Sequence, residues 1–395
     1  MNILMIAQSY PPNRSTASRR PHGLAHGLLK FGHSVTLMSE KIKKNDSRYD
    51  SSFKPTTHKK LKLKLKFREQ SLINSWIWFI LDLLNPIKRP RKLFYAWNNI
   101  DMSKDKYDVI WATFPDYCSL AMASKLSNKL NIPWVADFRD CFQTKHTLIQ
   151  KILLPIRKRV LKNLISSASL IISVASIVSE QIKKINTNKP IILIENAFDK
   201  KDFLSRPIYK TKRNKINFVF TGTIKTYDQS LLPLLNGLLR NKKFDNFKIK
   251  IDLFGNISKT FIKEYRKHKL NKLVKFHGIV NRKIALKHSM RADILLSSHL
   301  MNSKIYDYIG AQRLILMIKS DFGDAEKHIL RNRIGWAPRN EIEMDKAINE
   351  IFEMSRNKKI PSIKPNISKK FEYHNRSIQL NRVLANVVKK YSKKD

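Results

Sequence analysis

The sequence predicts an α/β protein of two similar halves, each a parallel sheet wound with helices, facing each other across a cleft. Short apolar runs alternate with amphipathic helical stretches along the first half. A Lys-rich stretch, residues 200–215, interrupts this pattern, and the same alternation then begins again. At 395 residues there is room for about two domains, and 42% hydrophobic residues supply ordinary cores.

Residues 2–7 should be the first strand, because Ile3, Leu4, Met5 and Ile6 form the unbroken apolar run of a strand buried on both faces. Pro11 and Pro12 keep 8–18 a loop. A helix over 20–31 stops at Gly32, and strand 34–38 completes one βαβ unit. Strand 109–113, helix 119–130 and strand 133–137 make another. A further strand lies within 164–174, followed by helix 180–185 and strand 191–194. In the second half, strand 216–220 closes on Thr221-Gly222-Thr223, helix 231–239 follows, and strand 248–254 ends at Gly255. Then come helix 260–268, strand 274–277, helix 282–290, strand 294–297, a helix opening near Lys304, strand 315–318, a helix after Gly323 and another over 344–354. Helical periodicity in 372–391 would let the tail cross back onto the first domain. The expected domains are 1–200 and 201–371, with 372–395 as the crossover helix.

Chemistry concentrates after strand 294–297. Ligands of parallel sheets collect at the carboxyl ends of strands, where helix N-termini point unpaired N–H groups outward. Ser303 can cap, Lys304 can reach a phosphate, and Asp307, one turn further on the same side, can hold paired hydroxyls of a sugar or ribose. The same residues would equally suit a capped surface helix. Gly222 would allow backbone to approach a phosphate, or would simply end its strand.

Lys+Arg 77 against Asp+Glu 31 gives a net charge of +46, which calls for an anionic partner, a membrane surface or a background bias toward lysine. The charge is spread along the chain with no zinc knuckle or aromatic recognition strand, so no specific nucleic-acid partner is expected. Cys118 and Cys141 are too few for a disulfide framework and fit a reducing cytosol. The N-terminus lacks signal-peptide features. Residues 76–84 are too short an apolar stretch to span a bilayer, which takes roughly 20 residues. Within 54–68, Leu61 to Phe67 alternates with lysine at period two and reads as a strand with one cationic face. That stretch, the aromatic run 76–84, the basic cluster 88–92 and the basic, apolar stretch 150–164 together suit contact with an anionic membrane surface. They suit an ordinary packed helix in a Lys-rich protein as well. The expected location is cytoplasmic, peripheral at the inner face of the cytoplasmic membrane.

Several landmarks in order resemble family 4 glycosyltransferases, whose two Rossmann-like domains form the GT-B fold. They are Tyr10-Pro11-Pro12, Ser18-Arg19-Arg20, Gly32-His33-Ser34-Val35-Thr36, Asp137-Phe138-Arg139-Asp140, Asn196-Ala197-Phe198-Asp199 and Phe220-Thr221-Gly222-Thr223. Ser303-Lys304-Ile305-Tyr306-Asp307-Tyr308 is similar to the Ser-Lys-x-x-Glu-Tyr branch. The resemblance implies a retaining, metal-independent transfer of a sugar from a UDP- or GDP-linked donor, with no cofactor, to a lipid-linked or glycan acceptor in polysaccharide or lipopolysaccharide assembly. It implies donor binding by Gly222, Thr223, Lys225, Ser303, Lys304 and Asp307, and acceptor binding by Arg19, Arg20 and Arg139. Catalytic roles fall to Asp137, Asp140, His299 and Lys304. The chain departs from the family at His299, where the first of two glutamates is usual, at Asp307, where the second is, and at Ser15-Thr16 in place of a glycine pair. A sugar-nucleotide-binding protein without turnover is the alternative those departures allow.

Overall fold

The computed structural model describes residues 1–46, 48–55, 61–67, 106–142, 152, 154–185, 188–205, 212–224, 231–297, 304–318 and 323–393. They divide into two compact units, Met1–Asn196 with Tyr373–Asp395, and Ala197–Glu372.

The first unit runs β1 (Asn2–Ile6), α1 (Arg19–Lys30), β2 (Ser34–Lys41), β3 (Leu61–Phe67), β4 (Val109–Phe114), α2 (Tyr117–Leu130), β5 (Trp134–Phe138), α3 (Leu154–Ile165), β6 (Leu170–Ser173), α4 (Ser176–Lys183) and β7 (Ile191–Leu193). Its sheet has the order β3-β2-β1-β4-β5-β6-β7, with every pairing parallel. The apolar run of the first strand lies at the centre, with Ile3 to Ile6 fully buried. Asp116 starts α2 by accepting from the backbone N–H groups of Cys118 and Ser119. Asn131 ends it in the left-handed conformation at φ 49°. β3, the alternating Lys strand, is the outermost of the sheet, a place where lysine discourages pairing with another chain. The stretches 76–84 and 88–92 lie outside the described residues.

The second unit runs β8 (Lys215–Ile224), α5 (Leu232–Arg240), β9 (Lys248–Ile257), α6 (Lys259–Lys267), β10 (Val274–Gly278), α7 (Arg282–Arg291), β11 (Ile294–Ser297), α8 (Lys304–Ala311), β12 (Leu314–Met317), α9 (Asp324–Arg331), β13 (Gly335–Trp336), α10 (Glu341–Arg356) and α11 (Pro365–Lys369). Its sheet has the order β10-β9-β8-β11-β12-β13. Two expectations are corrected here. The sequence reading ended β8 at Phe220 and β9 before Gly255, yet both run three residues or more further, pairing Thr221 with Phe254, Gly222 with Gly255 and Ile224 with Ile257. Gly255 makes this possible: its φ is +125°, and a Cβ there would lie 1.8 Å from the carbonyl oxygen of Gly222. Glycine, read as a strand stop, is what lets these strands continue.

The last helix, α12 (Tyr373–Tyr391), returns to the first unit, as expected. Leu380, Val383, Leu384 and Val387 join Leu24, Leu28, Val35 and Trp111 in one core. Gly23 and Gly27 of α1 make the helix pair close, since a Cβ on Gly27 would fall 1.9 Å from Ser377 Oγ. Among the described residues no helix is long and apolar enough to cross a membrane.

Candidate functional site

The same device appears in both units: an arginine in the first turn of a helix, paired with a carboxylate from another element. A cation there opposes the helix dipole, so it needs a strong partner.

In the second unit that arginine is Arg282, the first residue of α7, whose N-cap Asn281 accepts from the Ile284 N–H at 2.9 Å. Its Nη1 and Nη2 donate to the two oxygens of Asp307 at 2.6 and 2.7 Å. Nη2 and Nε also reach Asp202 Oδ2 at 2.7 and 3.3 Å. Asp202 belongs to a 3-10 turn, Lys200–Phe203. Burial works against the charge of Arg282, but Asp307 and Asp202 outweigh it and raise its pKa.

Asp307 lies in the first turn of α8, where a carboxylate is favoured, and Lys304 opens that helix half-buried. Next to Asp307, the fully buried Tyr308 ties two strands together. Its hydroxyl accepts from the Thr221 N–H at 3.0 Å and donates to Leu296 O at 3.1 Å. Burial pushes the phenol up to about 12. The ladder between β11 and β8 ends at Leu296 opposite Phe220, so Tyr308 supplies the bond that the next residue would otherwise lack. Gly222 is half-buried and Thr223 exposed, both within β8. Lys225, His299 and Ser303 lie outside the described residues.

In the first unit the arginine is Arg20, in the first turn of α1, 3% exposed. Its Nε and Nη2 donate to both oxygens of the fully buried Asp137, each at 2.8 Å, at the carboxyl end of β5. Nη2 and Nη1 also donate to the carbonyls of Ile194 and Glu195 at 2.8 and 3.0 Å, bracing the end of β7. Arg139 donates from Nε to Phe114 O at 3.1 Å and from Nη1 to Ala17 O. Burial pushes its pKa down, with Asp137, Asp116 and Asp140 pulling the other way. Asp140 reaches the surface, though partial screening from water raises its carboxyl, and its Oδ1 accepts from the Cys141 N–H at 2.9 Å. Arg19 lies over the Phe53 ring at 5.1 Å.

The structure therefore brings Arg20 and Asp137 together as a buried ion pair, with the half-buried Arg139 close enough to feel the charge of Asp137, and Asp140 and Arg19 nearer the surface. The sequence alone gives no role to Arg282 or Asp202, and Tyr308 stands out in it only as the last residue of the Ser303–Tyr308 motif. A basic residue directly after the capping Asn281 was the available signal, because the helix dipole disfavours it there without an acid nearby.

Residues 17–202 match the family described as Glycosyltransferase Family 4. No curated protein matches the sequence. Among solved structures, sucrose-phosphate synthase from Thermosynechococcus elongatus is 11% identical over 98% of this chain and 99% of its own, with a TM-score of 0.69. A glycosyltransferase from Rickettsia africae is 14% identical over 98% of each chain, with a TM-score of 0.64. The lipopolysaccharide outer core galactosyltransferase WaaB is 15% identical over 96% of this chain and 100% of its own, with a TM-score of 0.59. Identities this low speak to fold, and the fold shared over the full length is that of two Rossmann-like domains. The family match covers residues 17–202, just under half of the chain, and the fold of the chain is the two-Rossmann-domain fold that GT-B glycosyltransferases share.

Proposed function

We propose that this protein is a family 4 glycosyltransferase that moves a sugar from a UDP- or GDP-linked donor to a lipid-linked or polysaccharide acceptor, with retention of anomeric configuration and without a metal ion. The observation that carries the donor part is the head of α8, where Asp307 is held by Arg282 at 2.6 and 2.7 Å and Lys304 opens the helix. Asp307 would accept from ribose hydroxyls. Lys304, with the N–H groups of that helix end, would stabilise the charge that grows on the departing diphosphate. Gly222, Thr223, Lys225, Ser303 and His299 complete the proposed donor set. On the acceptor side, Asp140 would orient the attacking hydroxyl and Arg19 would meet an anionic group. Arg20, Asp137 and Arg139 would hold the loops that carry them. A retaining reaction lets the leaving phosphate take the acceptor's proton, so no separate base is required of the chain.

A membrane-linked acceptor is supported by α3, whose Leu161 and Ile165 are buried while Ile156, Arg159 and Lys162 are exposed, with Ile152 exposed just ahead. Apolar side chains among cations suit an anionic interface. The similar fold of WaaB, a lipopolysaccharide outer core galactosyltransferase, makes a lipopolysaccharide or related acceptor a fitting choice. The test incubates purified protein with UDP- and GDP-sugars and polyprenyl-linked or lipopolysaccharide acceptors in excess EDTA. Release of nucleoside diphosphate with a glycosylated acceptor of unchanged anomeric configuration is expected. Binding of nucleotide without release across the panel would refute turnover and leave the binding-protein reading. For the interface, liposome flotation at physiological salt should show preference for anionic vesicles.

A further inference from the structure

We propose that Arg282 is a positioning residue for the donor: it aims the carboxylate of Asp307 at the ribose hydroxyls of a nucleoside diphosphate sugar, and Asp202 holds Arg282 in turn. The inference rests on the nucleotide-sugar reading of this site and deepens it.

Three features of the second unit lead here. Arg282 meets Asp307 with both terminal nitrogens, at 2.6 and 2.7 Å, so the planar fork fixes the carboxylate in one plane as a single contact could not. Asp202 grips the other edge of the guanidinium at 2.7 and 3.3 Å. The turn carrying Asp202 is itself anchored, because Phe198 and Phe203 pack against α8, where a Cβ on Gly310 would lie 2.6 Å from Phe203. Turn, α7 and α8 are thereby joined around one arginine.

Chemistry then selects the ligand group. An ionised carboxylate offers only acceptor oxygens, so the group that fits Asp307 is a donor such as a hydroxyl pair and not a phosphate. The side chain is also an aspartate, with one carbon less reach than a glutamate. Its carboxylate can serve only if it is held in the right place before the nucleotide arrives, and Arg282 does the holding. An arginine needed merely to neutralise Asp307 could be lysine; one needed to orient it could not.

The test measures binding of UDP and GDP, and of their 2′-deoxy and 3′-deoxy forms, by calorimetry to the wild type, R282Q, R282K, D202N and D307N, each checked for folding by circular dichroism. The wild type should prefer the ribonucleotide by roughly ten-fold, as a charge-assisted hydrogen bond implies. R282Q and R282K should both lose that preference to within about two-fold while binding the deoxy forms as the wild type does, D307N should match them, and D202N should fall between. If R282Q does not fold, D202N carries the test, since it loosens Arg282 and leaves Asp307 its partner. Arginine variants that keep the ribose preference, or lose affinity for ribo and deoxy forms equally, overturn the inference. A wild type indifferent to the ribose hydroxyls overturns it too, with the donor reading intact. A wild type that binds no nucleoside diphosphate overturns the donor reading and this inference with it.

Discussion

Replacing Tyr308 with phenylalanine removes one oxygen from a fully buried site and nothing else, which makes it a clean probe of how the carboxyl end of the second sheet is held together. The ring fills the same space, so no cavity opens. What is lost is the bond from the Thr221 N–H at 3.0 Å and the bond to Leu296 O at 3.1 Å. Leu296 O keeps a second lone pair, but the Thr221 N–H lies one residue past the end of the β11–β8 ladder and has no strand partner waiting on that side. Leaving a buried donor unsatisfied costs about 1–3 kcal/mol, and about 2 kcal/mol is the fitting value for one such group. In a unit of this size that lowers the melting temperature by about 4–8 °C. Scanning calorimetry of the wild type and Y308F in one buffer reads the shift, and hydrogen exchange at the Thr221 amide reads its location. A shift below about 1 °C with unchanged exchange at Thr221 would refute the tie between these strands.

The same phenol gives an alkaline signature. Its folded pKa of about 12 stands above the ordinary 10.0, so its contribution is complete below about 10 and is lost as pH rises to about 12, where the unfolded chain has released a proton that the folded one keeps. The unfolding free energy from urea titrations across that window should fall more steeply for the wild type than for Y308F, by about 1.4 kcal/mol per pH unit. D137N should destabilise the first unit by about 3–5 kcal/mol, measured by chemical denaturation, because it strips a buried arginine of its counterion. G255A should prevent β8 and β9 from pairing at Gly222 and abolish soluble expression or nucleotide binding. G32A, at φ +84° with nothing within 4 Å of the new Cβ, should cost only about 1 kcal/mol in the same thermal assay.

The sheets were legible because their strands are apolar on both faces: Ile3 to Ile6 and Ile294 to Leu296 announce themselves without reference to any other part of the chain. What depended on a distant partner was not. Whether β8 stops at Thr221 or passes through Gly222 is decided by Gly255 alongside it, and a lone glycine reads the same either way. Lys304 and Asp307 could be picked out from one local motif. Arg282, which holds Asp307, and Asp202, which holds Arg282, stand on two other elements, and nothing in the neighbourhood of Arg282 names Asp202 or Asp307 as its counterions. In the first unit the sequence suggests acceptor-side chemistry for both Arg20 and Asp137, 117 residues apart, and only their mutual geometry reveals that they meet. Motif order locates a functional region; which of its charges point inward is a matter of tertiary contact.

The return of α12 has a bearing on how the polypeptide is made. Leu380, Val383, Leu384 and Val387 belong to the core whose other members come from the opening strands and α1. Every residue of Ala197–Glu372 has been synthesised before them, so the earliest-made portion waits for the whole of the second unit before its apolar flank can be covered. A released chain truncated short of residue 380 would hold all of Ala197–Glu372 and lack the apolar residues that α12 adds to the first unit, and it is that first unit which chaperones and proteases would meet.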